Sequence, residues 1–124
     1  MTVNKSSGHY VFDSFSNTGA TVRCMNQVDE QNRPAGGFVT FTVENEDVVY
    51  IKWQDGPLHV SDLNGAFVED VLEVCRQRLI FYQETEFGCK ENEDAIRDIG
   101  DAVEALTERT KKRIARGVEG THQK

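Results

Sequence analysis

Between residues 60 and 66 the hydrophobic pattern changes period, and this change constrains the fold more than any other feature of the chain. Before it, short runs rich in β-branched and aromatic residues are separated by turn residues. HYVFDSF (9–15) and TVRCMNQV (21–28) are candidate strands. Phe38-Val39-Thr40-Phe41-Thr42-Val43 and Val48-Val49-Tyr50-Ile51-Lys52-Trp53 flank the polar Glu44-Asn45-Glu46-Asp47, which reads as a hairpin. Gln31 to Gly37 reads as a loop, and Gln54-Asp55-Gly56-Pro57 closes the sheet because Gly-Pro cannot continue a ladder. After the change, apolar residues recur at helical spacing. Helix one is predicted from about Ala66 to Gln83, with Val68, Val71, Leu72, Cys75, Leu79 and Tyr82 as its stripe. Helix two is predicted from about Glu91 to Arg116, a span of about 39 Å. The expected fold is therefore α+β: a small antiparallel sheet in the N-terminal half, then a long two-helix hairpin. At 124 residues the chain reads as one domain, β-rich over 9–60 and helical over 63–122. So small a core favours assembly into a homo-oligomer.

Helix two changes character along its length. One stripe holds Asn92, Ala95, Ile99, Val103, Leu106, Thr110 and Arg113, so the core-facing seam turns polar and cationic in its last two turns. The segment RTKKRIARGVEGTH (109–122) gathers Arg109, Lys111, Lys112, Arg113 and Arg116 in a chain that has 14 Lys and Arg against 21 Asp and Glu. Cations complement the negative end of the helix dipole, and Lys111 and Lys112 need no further reason. The arginines leave two readings open: a bound anion such as phosphate, which suits the planar guanidinium fork, or acidic residues of another subunit. Asn92 reads as the N-cap of helix two, with Glu91 and Asp94 at the positive end; exposed N–H groups there also suit a ligand. Phe81, Tyr82 and Phe87 read as core, or as a stacking surface for a purine if one is left uncovered. Arg23, on a strand between Val22 and Cys24, reads as solvent-facing.

Several function classes are set aside. A net charge of −7 does not suit general DNA or membrane binding. No apolar run is long enough to span a bilayer, and MTVNKSSGHY lacks the apolar core of a secretory leader, so a cytoplasmic location is expected. Cys24, Cys75 and Cys89 form no CxxC and read as reduced thiols. His9, His59 and His122 have no ligand spacing, so no metal site and no cofactor are expected. There is no nucleophile elbow, P-loop or dinucleotide turn. A metal-dependent nucleotide pyrophosphatase would use Asp70, Glu73, Glu91 and Asp94, but within one hairpin Glu73 lies about 15 Å back from the turn where Glu91 and Asp94 begin. Binding without turnover is the expectation, with no catalytic residues. A host-protein partner for the cationic helix end is the alternative from another class.

WQDGP (53–57), LNG (63–65), CRQRLIFYQ (75–83), FGCKEN (87–92) and RTKKRIARGVEGTH (109–122) together resemble the first type of the phage Thoeris anti-defence (Tad) sponge family. Its helical hairpin is similar to that of anti-CBASS sponges. The resemblance spans residues 53–122; the β-rich half matches in architecture more than in motif. It implies a protein that binds cyclic ADP-ribose isomers, including glycocyclic ADP-ribose, without cleaving them, in the cytoplasm of the infected bacterial host. Some members form hexamers and bind CBASS cyclic oligonucleotides at a separate site. Carried over, Arg109 and Arg113 would engage the pyrophosphate, and Tyr82, with Phe81 adjacent, would stack on adenine. Asn92 and Asp94 would bond base or ribose hydroxyls, and Arg23 would reach in from the sheet of a neighbouring subunit. The turn from Gly117 to Thr121 would close over the ligand with backbone N–H groups.

Overall fold

The computed structural model describes residues 8–14, 19–31, 33–56 and 62–115. Two compact units divide the chain, Met1–Ala66 and Phe67–Lys124. The division falls a few residues past the change of hydrophobic period.

The first unit holds four strands, β1 (Gly8–Asp13), β2 (Thr21–Val28), β3 (Pro34–Val43) and β4 (Glu46–Lys52). They form one antiparallel sheet in chain order. The β3–β4 hairpin turns on Glu44 and Asn45, both at positive φ (51° and 68°). Two successive left-handed residues match the strand twist, and asparagine tolerates that conformation better than most side chains. The expected loop over 31–37 is shorter than its composition suggests, because β3 already begins at Pro34. Asp29 makes this possible. Its carboxylate accepts from the backbone N–H groups of Gln31 and Arg33 at 2.9 and 3.0 Å, and from Arg33 Nε at 2.8 Å. The turn closes within Asp29–Arg33, and proline then enters at the first position of a strand, where its missing donor is tolerated. The Arg33 amide, first, holds the Asp29 carboxyl below its ordinary range; slight burial opposes this, and the Arg33 guanidinium and Gln31 amide reinforce it.

Register sorts the sheet into two faces. Val22 and Cys24 lie opposite Phe41 and Val39, which pair on with Val49 and Ile51. Val22 and Cys24 are the buried apolar residues of this sheet, each burial worth roughly 1.5–3 kcal/mol for a side chain of Val size. The opposite face carries the row Val11, Arg23, Thr40, Tyr50. Arg23 is exposed there, and Tyr50 stacks near Phe38 with centroids 6.1 Å apart.

Beyond β4, the WQDGP and LNG segments meet in a reciprocal clamp. Asn64 Oδ1 accepts from the Asp55 N–H at 2.8 Å, and Asn64 Nδ2 donates to the Asp55 carbonyl at 2.9 Å. Gln54 Oε1 accepts from the N–H groups of Asn64 and Gly65 at 2.8 and 3.0 Å. Trp53 then bridges in parallel to Ala66. Two side-chain amides thus satisfy backbone that has left the ladder.

The second unit is a helical hairpin of α1 (Val68–Gln83) and α2 (Lys90–Ala115). No side chain supplies an N-cap to α1, but Glu69 and Asp70 in its first turn favour the positive helix end. The expected α1 stripe needs correction. Val68 and Cys75 are exposed while Val71, Leu72, Leu79 and Tyr82 are partly covered, and Leu72 and Leu79 share their side with Glu73, Arg76, Ile80 and Gln83. The helix is rotated so that a Glu73–Arg76 pair (3.2 Å) stands within its covered stripe. Gly100 of α2 faces that arginine, and a Cβ there would make only ordinary contact with the Arg76 stem, at 3.9 Å. On α2 every residue of the expected stripe from Asn92 to Arg113 is partly covered.

Gly37 combines φ 128° with a Cβ direction that runs into the Met25 carbonyl of the neighbouring strand. Gly37→Ala is expected to cost the sheet about 2 kcal/mol or more. A fall in the circular-dichroism melting midpoint by several degrees checks this, and an unchanged midpoint would contradict it.

Candidate functional site

The turn of the hairpin is built by backbone and side-chain bonds together. The Glu84 and Thr85 N–H groups bond back to the carbonyls of Phe81 and Tyr82 at 3.1 and 3.0 Å. Thr85 Oγ1 donates to the Tyr82 carbonyl at 2.6 Å and accepts from the Phe87 N–H at 3.1 Å. Gln83 spans the turn: its Oε1 accepts from the Cys89 N–H at 2.9 Å and its Nε2 donates to the Cys89 carbonyl at 3.0 Å. The end of α1 is thereby tied to the start of α2.

This turn end collects three of the six expected ligand residues. Tyr82 is partly covered beside the more exposed Phe81, their ring centroids 6.0 Å apart. Asn92 is not the N-cap, since α2 already starts at Lys90; its Nδ2 donates to the Phe87 carbonyl at 3.3 Å. Asp94 accepts from Lys90 Nζ at 3.2 Å and from Arg97 at 3.1 Å. Arg97 is held protonated more firmly than an ordinary arginine, chiefly by its bond to Asp94, with Asp98 adding to the field. A ligand hydroxyl at Asp94 would therefore meet a carboxylate already oriented by two cations.

Arg109 and Arg113 stand at the other end of α2. Arg109 is exposed and Arg113 partly covered, as expected if the polar end of the stripe stays near the seam. Seventeen residues separate Asn92 from Arg109, which is about 25 Å along the helix axis. One hairpin therefore does not bring Tyr82, Asn92 and Asp94 to the same place as Arg109 and Arg113. Arg23 belongs to the sheet unit. Arg116 and residues 117–121 lie outside the described residues. The carboxylates of the pyrophosphatase alternative are likewise dispersed: Glu73 pairs with Arg76 and Asp94 with Lys90 and Arg97. Among the described residues no three His, Cys, Asp or Glu side chains gather to hold a metal ion, and no helix is long and apolar enough to cross a membrane.

Arg78 is a side chain that the sequence reading passed over. It lies three and four residues before Phe81 and Tyr82, the spacing at which helical side chains meet. Its guanidinium carbon is 5.1 Å from the Phe81 centroid and 5.0 Å from that of Tyr82, and Nε donates to Tyr82 Oη at 3.3 Å. The i,i+4 Arg–Tyr spacing was the signal available for it.

Comparison with known proteins places this arrangement. No protein-family model matches the chain. It is 40% identical over 74 residues to Thoeris anti-defense 1 of Bacillus phage SBSphiJ7, a stretch that covers 60% of this chain and 52% of that protein. Over that stretch the chain is similar to this anti-defence protein. The chain spans about half the length of this curated relative, at 52%.

If Gln83 holds the turn, Gln83→Ala loses two hydrogen bonds to backbone, and a loss of about 1–3 kcal/mol is expected. Urea unfolding followed at 222 nm measures it. Gln83→Glu keeps the acceptor for the Cys89 N–H but not the donor, and should fall between the two; a Gln83→Ala protein as stable as the parent would remove the clamp from the account.

Proposed function

We propose that this chain is a phage anti-defence protein that binds and sequesters glycocyclic ADP-ribose or a close cyclic ADP-ribose isomer without cleaving it. The Thoeris effector in the infected bacterial cytoplasm is then deprived of its signal. The match to Thoeris anti-defense 1 is the observation that carries this reading. The geometry is consistent with it. The turn end offers aromatic rings for a base and Asn92 and Asp94 for hydroxyls. The far end of α2 offers Arg109 and Arg113, whose guanidinium forks match a pyrophosphate.

The separation of about 25 Å along α2 gives the proposal its form. A ligand smaller than that distance is held by both groups only when a second copy brings its arginine end to the turn end of the first. A homo-oligomer then completes each pocket, and Arg23 of a neighbouring sheet is the third arginine that the reading assigns. The net charge of −7 keeps bulk polyanions away, while the local arginines hold one compact anion. Sequestration of a scarce signal calls for nanomolar affinity, about −12 kcal/mol, which stacking and charge-assisted bonds supply in a preorganised site. The chemistry asked of the protein is binding alone: neither a nucleophile nor a metal is assigned.

Titration of the protein with glycocyclic ADP-ribose, with Mg²⁺ present, tests the reading. The mixture is then heated and the supernatant analysed by HPLC. Tight binding with intact ligand released is expected, and Arg109→Ala should weaken binding at least tenfold, in line with about 1.5–3 kcal/mol for a hydrogen bond to a charged group. Cleaved ligand would make the protein an enzyme. Absence of binding to this isomer and its relatives would leave a host-protein partner for the cationic end as the better account.

A further inference from the structure

We propose that Arg78 is a ligand-binding residue of the turn-end site. In the free protein its guanidinium lies across Phe81 and Tyr82; on binding it yields a ring face to the ligand's base and turns onto the ligand's phosphate. This rests on the reading of the chain as a nucleotide-binding protein, and it adds to that reading a cation on the same hairpin end as the rings.

Three observations carry it. First, Arg78 has no acidic partner among the described residues, although its neighbours on the two helices do. Arg76 pairs with Glu73, and Arg97 pairs with Asp94 and Asp98. Arg78 is thus not committed to an ion pair with any described carboxylate. Second, its contacts are ones a ligand can replace. The guanidinium rests 5.1 and 5.0 Å from two ring centroids and makes a single long bond of 3.3 Å to Tyr82 Oη. Five donors are available on the fork, and that bond uses one. Such cation–π contacts are weak at exposed positions, and both Arg78 and Phe81 are exposed. Third, the residues that would read a base and a sugar, Tyr82, Asn92 and Asp94, belong to this same end of the hairpin. A purine that stacks where the guanidinium now lies keeps the ring face covered. The released fork meets the phosphate that leaves the sugar, with a planar, bidentate match.

Arg78 therefore acts as a stand-in for the ligand's base in the free protein and as a phosphate contact in the complex. It also makes discrimination local: a nucleoside without phosphate displaces the guanidinium and receives nothing in return, whereas a nucleotide receives a charge-assisted bond.

Calorimetric titration of the full chain with glycocyclic ADP-ribose, and in parallel with ADP, at low and high salt tests this. Arg78→Gln keeps the stem and a good helix former while removing the charge, and is expected to weaken binding about tenfold and flatten its salt dependence. Arg78→Lys should recover part of the affinity and all of the salt dependence. Circular dichroism confirms that both variants keep the helical hairpin. Parent-like affinity in Arg78→Gln overturns the proposal. So does a loss of affinity with parent-like salt dependence, which would make Arg78 a support for the rings only. If the parent protein binds ADP but not glycocyclic ADP-ribose, the cyclic-signal reading fails, and the ADP series still decides Arg78 by the same criteria. If it binds neither, both fall.

Discussion

A helix that rises 1.5 Å per residue is a ruler, and the function proposed for this chain depends on the length it measures. α2 carries Asn92 and Asp94 in its first turns and Arg109 and Arg113 in its last. Its stiffness holds the two sets apart. In the proposed reading the site is completed where copies meet rather than within one hairpin. The same rod explains why the covered stripe of α2 does not end at Leu106 but continues as Thr110 and Arg113, both partly covered. Thr110 Oγ1 donates back to the Leu106 carbonyl at 3.3 Å, so its polar atom is satisfied within its own helix. The stripe is thus apolar in the middle and polar at its ends, and all of it is partly covered.

Rigidity at the turn end has a local origin. Gln83 and Thr85 tie the close of α1 to the opening of α2 by bonds to backbone. The rings of Phe81 and Tyr82 therefore stand on backbone that is fixed on both sides. Side chains that stack on a base gain affinity when little freedom is lost on binding, and a locked turn supplies that condition. Arg78, by contrast, is attached to the platform through weak contacts, so it is free to exchange one partner for another. A fixed platform with a movable cation is a sensible division between shape and charge.

The sheet unit is organised on a different principle. Among the described residues few of its apolar side chains are fully buried, and polar closures order its turns: Asp29 gathers the β2–β3 turn, and Gln54 and Asn64 gather the chain after β4. These explain two of the sequence segments that resemble the Tad sponges. WQDGP and LNG need not touch a ligand at all, since their amides pair with each other's backbone and set where α1 begins.

Secondary structure was legible in this chain because it follows from local pattern. Alternation placed β2 at Thr21–Val28, and helical spacing placed both helices within two residues of their ends at Gln83 and Lys90. The covered face of α2 was legible for the same reason: its stripe is apolar and continuous. The face of α1 was not, since it partly covers Glu73 and Arg76 and exposes Val68 and Cys75, and residue pattern alone did not fix the rotation of this helix against its neighbour. The early start of β3 was hidden too, because an aspartate that caps a turn four residues wide looks no different in sequence from one in a longer loop. Residue types suited to a nucleotide were evident from sequence, and so was their resemblance to a family. Their separation along α2 follows from the predicted helix span, and Arg78 meets the two rings at helical spacing within α1; tertiary structure decided which face of α1 is covered. Distance between side chains arises from the direction of elements in space, which composition and spacing along one chain do not contain.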